Sequence, residues 1–268
     1  MSNPGQVLLI VIIFITGLCF GSFLNVIVYR LPRNLSIIRP PSRCPYCSRL
    51  LGLIELIPVL GYLSLRGRCR QCRALIGPRY PLVEFCTGLL FVIVFISYAF
   101  TLEFFIYLTL LFLLFGIALI DLEHRIVPNS LVATGLIAAL IYYLPQAASY
   151  IFNLPQELVA QRPIFDAFAG LLLGGGIMLV IFLVSRGGMG AGDIKLMALI
   201  GFYVGLQGTA VVFFIGFLFG AITGIAFMLF GNLTRKDALP FAPFLSLATL
   251  IQVLYGQQIW NWYLNLLL

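Results

Sequence analysis

Charge is what this sequence has least of. Asp, Glu, Lys and Arg make up 9% of 268 residues, the acids number nine and histidine occurs once. A soluble domain is about 25% charged, so with 62% hydrophobic residues a water-soluble fold is excluded. The apolar runs lack the alternation of a membrane barrel, which excludes strands. The segment after "MSNPGQ" has no basic n-region and runs on to Arg30, so it reads as a retained first span, not a cleaved signal peptide. Ten of the 16 basic residues lie between Arg30 and Arg79, but no RNA- or DNA-binding motif accompanies them, and a nucleic-acid partner is not expected.

What is there is a series of apolar segments long enough to cross a hydrocarbon core of about 30 Å. They predict an all-α polytopic membrane protein with about eight transmembrane helices: 7–29, 82–100, 104–120, 130–146, 167–185, 194–208, 209–231 and 241–266. Gly170, Gly174, Gly175 and Gly176 in the fifth read as close helix packing. With the N-terminus outside, the inside loops hold 15 of the 16 basic residues and the outside loops only Arg162. Basic loops stay cytoplasmic, so this asymmetry supports both the count and the orientation. The chain divides into a first helix (1–29), a cytoplasmic cysteine loop (30–81) and a membrane core (82–268).

The loop carries two C-x2-C knuckles, Cys44/Cys47 and Cys69/Cys72, with 21 residues between them. Four thiolates close a tetrahedral shell around zinc, and each knuckle presents two of them. A cytoplasmic location disfavours the alternative of two disulfides. The expectation is a small zinc-ribbon-like module whose zinc is structural, since four sulfurs leave no open position. Arg43, Arg68, Arg70 and Arg73 stand beside the cysteines and favour thiolates. Cys19 and Cys86 read as ordinary small apolar residues, and His124 as an interfacial side chain rather than a base or ligand.

Two acids stand apart. Asp121, in "GIALIDLEHRIVP", ends the third span, and Asp193, in "GMGAGDIKL", begins the sixth, 72 residues later, at the same expected membrane face. Acids at the edge of a bilayer are costly and point to function. A carboxyl pair supports general acid–base hydrolysis without a Ser or Cys nucleophile. Gly190 and Gly192 would let substrate approach Asp193 and let the turn take positive φ. Against this stands a plain structural acid, Asp193 serving only a helix N-terminus, and Glu123 competes with Asp121 as the second acid. Asp166 reads as an N-cap of the apolar run that follows it. Paired acids also serve proton relays. A transporter with a cytoplasmic zinc module is therefore the alternative, though the cysteine loop has no counterpart later in the chain. A non-enzymatic assembly factor whose basic loop meets anionic lipid is another, but it leaves Asp121 and Asp193 unexplained.

Five motifs in order, "GSFLNVIVYRLP", "CPYC" with "GRCRQC", "GPRYPLVE", "IDLEHRIVPNSL" and "GMGAGDIKLMALIG", give a resemblance over nearly the whole chain. The sequence resembles the type IV prepilin peptidases, leader peptidase/N-methyltransferases of the bacterial inner membrane. The resemblance implies a GxGD-type membrane aspartic protease with Asp121 and Asp193 catalytic and Glu123 a neighbour. It implies as substrates the prepilins of type IV pili and pseudopilins of type II secretion, cut after a glycine at the cytoplasmic face. It further implies methylation of the new N-terminus from S-adenosylmethionine. In "LIELIPVL" this chain has Leu53 and Leu56 where many members carry Trp and Asn, and keeps Glu55; this departure bears on methylation alone.

Overall fold

The computed structural model describes residues 4–152, 163–185, 189–230 and 239–267. Glu157, Arg162, Arg186, Arg235, Lys236 and Asp237 lie outside them, so the loop assignments that use these residues are not addressed by the structure. The described chain is all-α, with two isolated β-bridges and no strand. Its helices are α1 (Pro4–Arg30), α2 (Leu60–Ser64), α3 (Arg79–Tyr98), α4 (Leu102–His124), α5 (Asn129–Phe152), α6 (Ile164–Val184), α7 (Ala191–Leu229) and α8 (Ala242–Leu267). Among the described residues five helices, α1, α3, α4, α6 and α7, are long and apolar enough to cross a membrane. The expected spans 130–146 and 241–266 form α5 and α8.

The chain forms two compact units, Met1–Phe104 and Phe105–Leu268. The boundary drawn at 81/82 from the sequence falls inside α3, which packs with α1 in the first unit. In that unit α1 and α3 run antiparallel and touch through glycines. A Cβ at Gly17 would lie 2.8 Å from Gly88 Cα, and one at Gly21 would lie 2.6 Å from Glu84 Cα. The spacing is the Gly-x-x-x-Gly that lets membrane helices approach backbone to backbone. Asn25 donates to Tyr80 O at 3.1 Å near one end of this crossing.

In the second unit α6 and the start of α7 cross just as closely. A Cβ at Gly170 would meet Gly201 O at 2.2 Å, and one at Gly174 would meet Met197 O at 2.6 Å. A Cβ on Gly175 would meet Ala198 Cβ at a tight 3.2 Å, whereas Gly176 faces nothing within 4 Å, so three of the four glycines read as packing positions line the crossing and Gly176 does not.

The expected sixth and seventh spans are the two legs of α7. They meet at Gly205 (φ 71°, ψ −174°), a backbone conformation that suits glycine. Before Gly205, α7 runs antiparallel to α6. Beyond it, Ala210, Phe214 and Phe217 share an apolar groove with Leu173 and Ile177, so the second leg turns back along α6. The reversal leaves the new leg's first amide without a helical acceptor, and Asp166 accepts the Leu206 N–H at 3.0 Å. Asp166 is thus a cap, but for the second leg of α7 and not for α6, whose third residue it is. Sequence periodicity could not show this, because donor and acceptor are 40 residues apart.

The crossing predicts a sharp contrast. Gly201→Leu should destabilise the protein by about 1–3 kcal/mol through overpacking. Gly176→Ala should stay within about 0.5 kcal/mol, as surface substitutions do. Unfolding of the two purified variants in mixed detergent measures both.

Candidate functional site

Two clusters of chemistry-bearing side chains form, one in each unit. In the first unit the cysteine segment is an internal repeat offset by 25 residues. The bridge Arg43–Leu50 is matched by Arg68–Leu75, Cys44 N→Arg49 O (2.9 Å) by Cys69 N→Ala74 O (2.9 Å), and positive φ at Ser48 by the same at Arg73. Each knuckle turns its two sulfurs to one point. Cys44 Sγ lies 3.9 Å from Cys72 Sγ and Cys47 Sγ 3.9 Å from Cys69 Sγ, with all four sulfurs within 4.8 Å of one another.

A tetrahedron with metal–sulfur bonds of about 2.3 Å has edges of about 3.8 Å, so the sulfurs fit a zinc-sized ion. A disulfide needs about 2.05 Å, and the cysteines are free thiols. Electrostatics agrees. The N–H of Cys72, then that of Gln71, donates to the Cys69 sulfur and lowers this thiol to about 6. Although the Ala74 N–H donates to it, loss of water and the neighbouring sulfurs push Cys72 up to about 11. A dication at the centre relieves this crowding of negative charge. Arg49, which sequence reasoning passed over for its basic neighbours, bonds the Cys69 sulfur and ion-pairs with Glu55. Glu55 in turn accepts the Gly52 N–H at 2.7 Å. Leu53 and Leu56 point outward instead, 86% and 41% exposed.

The second missed residue is Glu84. It is buried in α3, where its carboxylate accepts the Val59 N–H at 2.7 Å and the Ser22 hydroxyl. The signal available was Ser22 and Asn25, two of the few polar residues in a mostly apolar helix.

In the second unit α4 carries Asp121 near its C-terminus and α7 carries Asp193 in its first turn, and both are buried. Asp121 Oδ2 accepts the N–H of Ala242, the first residue of α8, at 3.1 Å. The Asp193 carboxylate accepts the Gly190 N–H and lies within electrostatic reach of Asp121. Glu123 is exposed and faces His124 at 3.9 Å. What holds the pair together is the approach of α7's start to the segment after α4. A Cβ on Gly192 would lie 2.8 Å from Val127 Cβ, and Lys195 Nζ donates to Asn129 Oδ1 at 3.0 Å.

Known sequences carry the same two-part plan. Residues 15–98 match the family model of the bacterial peptidase A24 N-terminal domain, and residues 107–225 match that of the type IV leader peptidase family. A prepilin leader peptidase/N-methyltransferase of Bacillus subtilis (strain 168) is 37% identical over 96% of this chain and 98% of its own length. Proteins of the same name from Pseudomonas aeruginosa and Aeromonas hydrophila are 34% and 33% identical, each over more than nine-tenths of both chains. The chain belongs to the type IV leader peptidase family. No solved structure matches it.

In this family member the glycines before Asp193 act differently from expectation. Gly190 has φ −76° and Gly192 lies within α7, so neither uses positive φ. Gly192 is needed because a Cβ there would strike Val127, whereas one on Gly190 would meet Asp193 Oδ2 only at 3.5 Å.

The sulfur cluster makes its own prediction. The purified protein should hold one equivalent of zinc, Cys44→Ser should lose tight binding, and Arg49→Gln should weaken it about 10-fold, as loss of a ligand-orienting partner does. Ligands must shed protons to bind metal, so affinity falls with falling pH. Its slope should steepen below about 6, where the Cys69 thiolate takes up its proton. Metal titration with a chromophoric chelator across pH reads all three.

Proposed function

We propose that this chain is a prepilin leader peptidase that also N-methylates the new N-terminus, a multi-pass enzyme of the bacterial inner membrane. The observation that carries the reading is that two buried carboxyls, Asp121 and Asp193, come within electrostatic reach of each other from helices far apart in sequence. Brought together at a scissile bond, two carboxyls share one proton between them. The ionised partner takes a proton from water as it attacks the scissile carbonyl, and the protonated partner donates to the departing amide nitrogen. The Ala242 and Gly190 amides hold the carboxyls in place between turnovers. Burial keeps bulk water from competing for them.

The asymmetry of basic residues supports an N-terminus outside, with the cysteine segment and both aspartates at the cytoplasmic face. There the enzyme meets prepilins and pseudopilins at the junction of basic leader and hydrophobic helix. Cys44, Cys47, Cys69 and Cys72 hold a structural zinc that shapes segment 30–81 for methylation. S-adenosylmethionine supplies the methyl group.

The test is a purified prepilin in proteoliposomes with S-adenosylmethionine, read by mass spectrometry. Asp121→Asn and Asp193→Asn should each lower cleavage by about 10²–10⁴-fold, the usual contribution of a positioned acid or base, while zinc content is unchanged. Gly192→Ala should slow cleavage and Val127→Ala in the same chain should partly restore it, since the clash is between those two residues. Cys44→Ser should leave cleavage and lose methylation. Cleavage that survives in both Asn variants would remove the assignment.

A further inference from the structure

Between Arg30 and Arg79 every basic residue is arginine, ten in all, and the one acid is Glu55, already paired with Arg49. Within this basic segment residues 53–63 are apolar except for Glu55, and six of them face outward. Leu53, Ile54, Leu56, Ile57, Leu60 and Leu63 are between 41% and 86% exposed. They form one small body. A Cβ on Gly61 would lie 2.7 Å from Glu55 O and 2.8 Å from Ile54 O, so α2 rests directly on the carbonyls of the preceding 3-10 turn. An apolar cluster this exposed, flanked in the chain by arginines, marks an interaction surface.

The depth of the cluster is set by one hydrogen bond. Val59 has φ 59°, an unfavourable conformation for a β-branched residue, and its N–H is held by buried Glu84 at 2.7 Å. Glu84 is the sixth residue of α3, a 20-residue span. At 1.5 Å per residue α3 is about 30 Å long, so Glu84 stands about 8 Å along it. A span of that length matches the hydrocarbon core, so Glu84 holds Val59 about 8 Å below the core's edge, the depth to which interfacial segments bury their apolar side chains. Exposed Arg43, Arg66, Arg68, Arg70 and Arg73, in the same segment, complement the phosphate groups above the core's edge.

We infer that residues 53–63 are an interfacial anchor: their apolar side chains enter the leaflet and the surrounding arginines bind anionic headgroups. The occupant is the bilayer because both ends of the segment lead into membrane spans, its centre is tied to one of them, and its charge is opposite to that of anionic lipid. The inference rests on α1 and α3 crossing the membrane and not on either enzymatic activity.

The full chain, carrying Trp260→Phe and Trp262→Phe, is reconstituted with a single Leu53→Trp or Leu60→Trp. Vesicles contain phosphatidylcholine with or without phosphatidylglycerol, and some carry lipid brominated high on the acyl chain. Both tryptophans should be quenched by brominated lipid and shielded from acrylamide, and quenching should drop about twofold without the anionic lipid. Strong acrylamide quenching with none from brominated lipid overturns the anchor. Shielding from both quenchers also overturns it, since a second copy or a substrate helix then covers the face. Equal quenching in the two lipid mixtures overturns the headgroup half of the inference. Zinc content and leader cleavage confirm folding of each variant, and the two positions report independently.

Discussion

A carboxyl placed where water is excluded must find a donor in the protein, and the free donors there are the amides at helix starts and strained turns. Five of the acids among the described residues follow that constraint. Asp121 takes the Ala242 N–H, Asp193 that of Gly190, Asp166 that of Leu206, Glu84 that of Val59 and Glu55 that of Gly52. Asp121, Asp166 and Glu84 thereby join separate elements, while Asp193 and Glu55 cap the starts of their own. Removing one leaves both a buried carboxyl and an orphan amide, which is why so few acids shape so much of the fold.

The carboxyl pair depends on these joints. Asp121 is held by the start of α8, and Asp193 by the turn into α7. The first leg of α7 is aligned on α5 by the Tyr203 hydroxyl donating to Gly135 O at 2.7 Å and by Lys195 on Asn129. Its second leg returns to the same end of the unit, where Gly220 and Gly224 meet Phe241 and Leu239 at the entry to α8. The reversal at Gly205 therefore bears on the carboxyl pair from the opposite end of the helix. The cysteine module is built otherwise, by local repeats of turn geometry closed by sulfur, with Arg49 and Glu55 bracing it from the side.

Much of this was legible in the residues. Apolar length, the C-x2-C spacing and the two isolated acids gave the helices, the sulfur cluster and the pair. Glu84 was not legible, because its partner is a backbone amide 25 residues away, and neither was the true beneficiary of the Asp166 cap. Gly192 was flagged for backbone freedom, and its actual need is space beside Val127.

Composition alone determined that the chain is helical and membrane-embedded, because hydrocarbon admits continuous apolar runs only as helices or closed barrels. Local spacing determined the cysteine knuckles, since ligand turns are short-range. Which acid joins Asp193, which glycines touch backbone and where α7 turns were decided by tertiary structure. Those outcomes rest on contacts between segments distant in sequence, whose Cβ distances and unpaired amides exist only once the helices have packed.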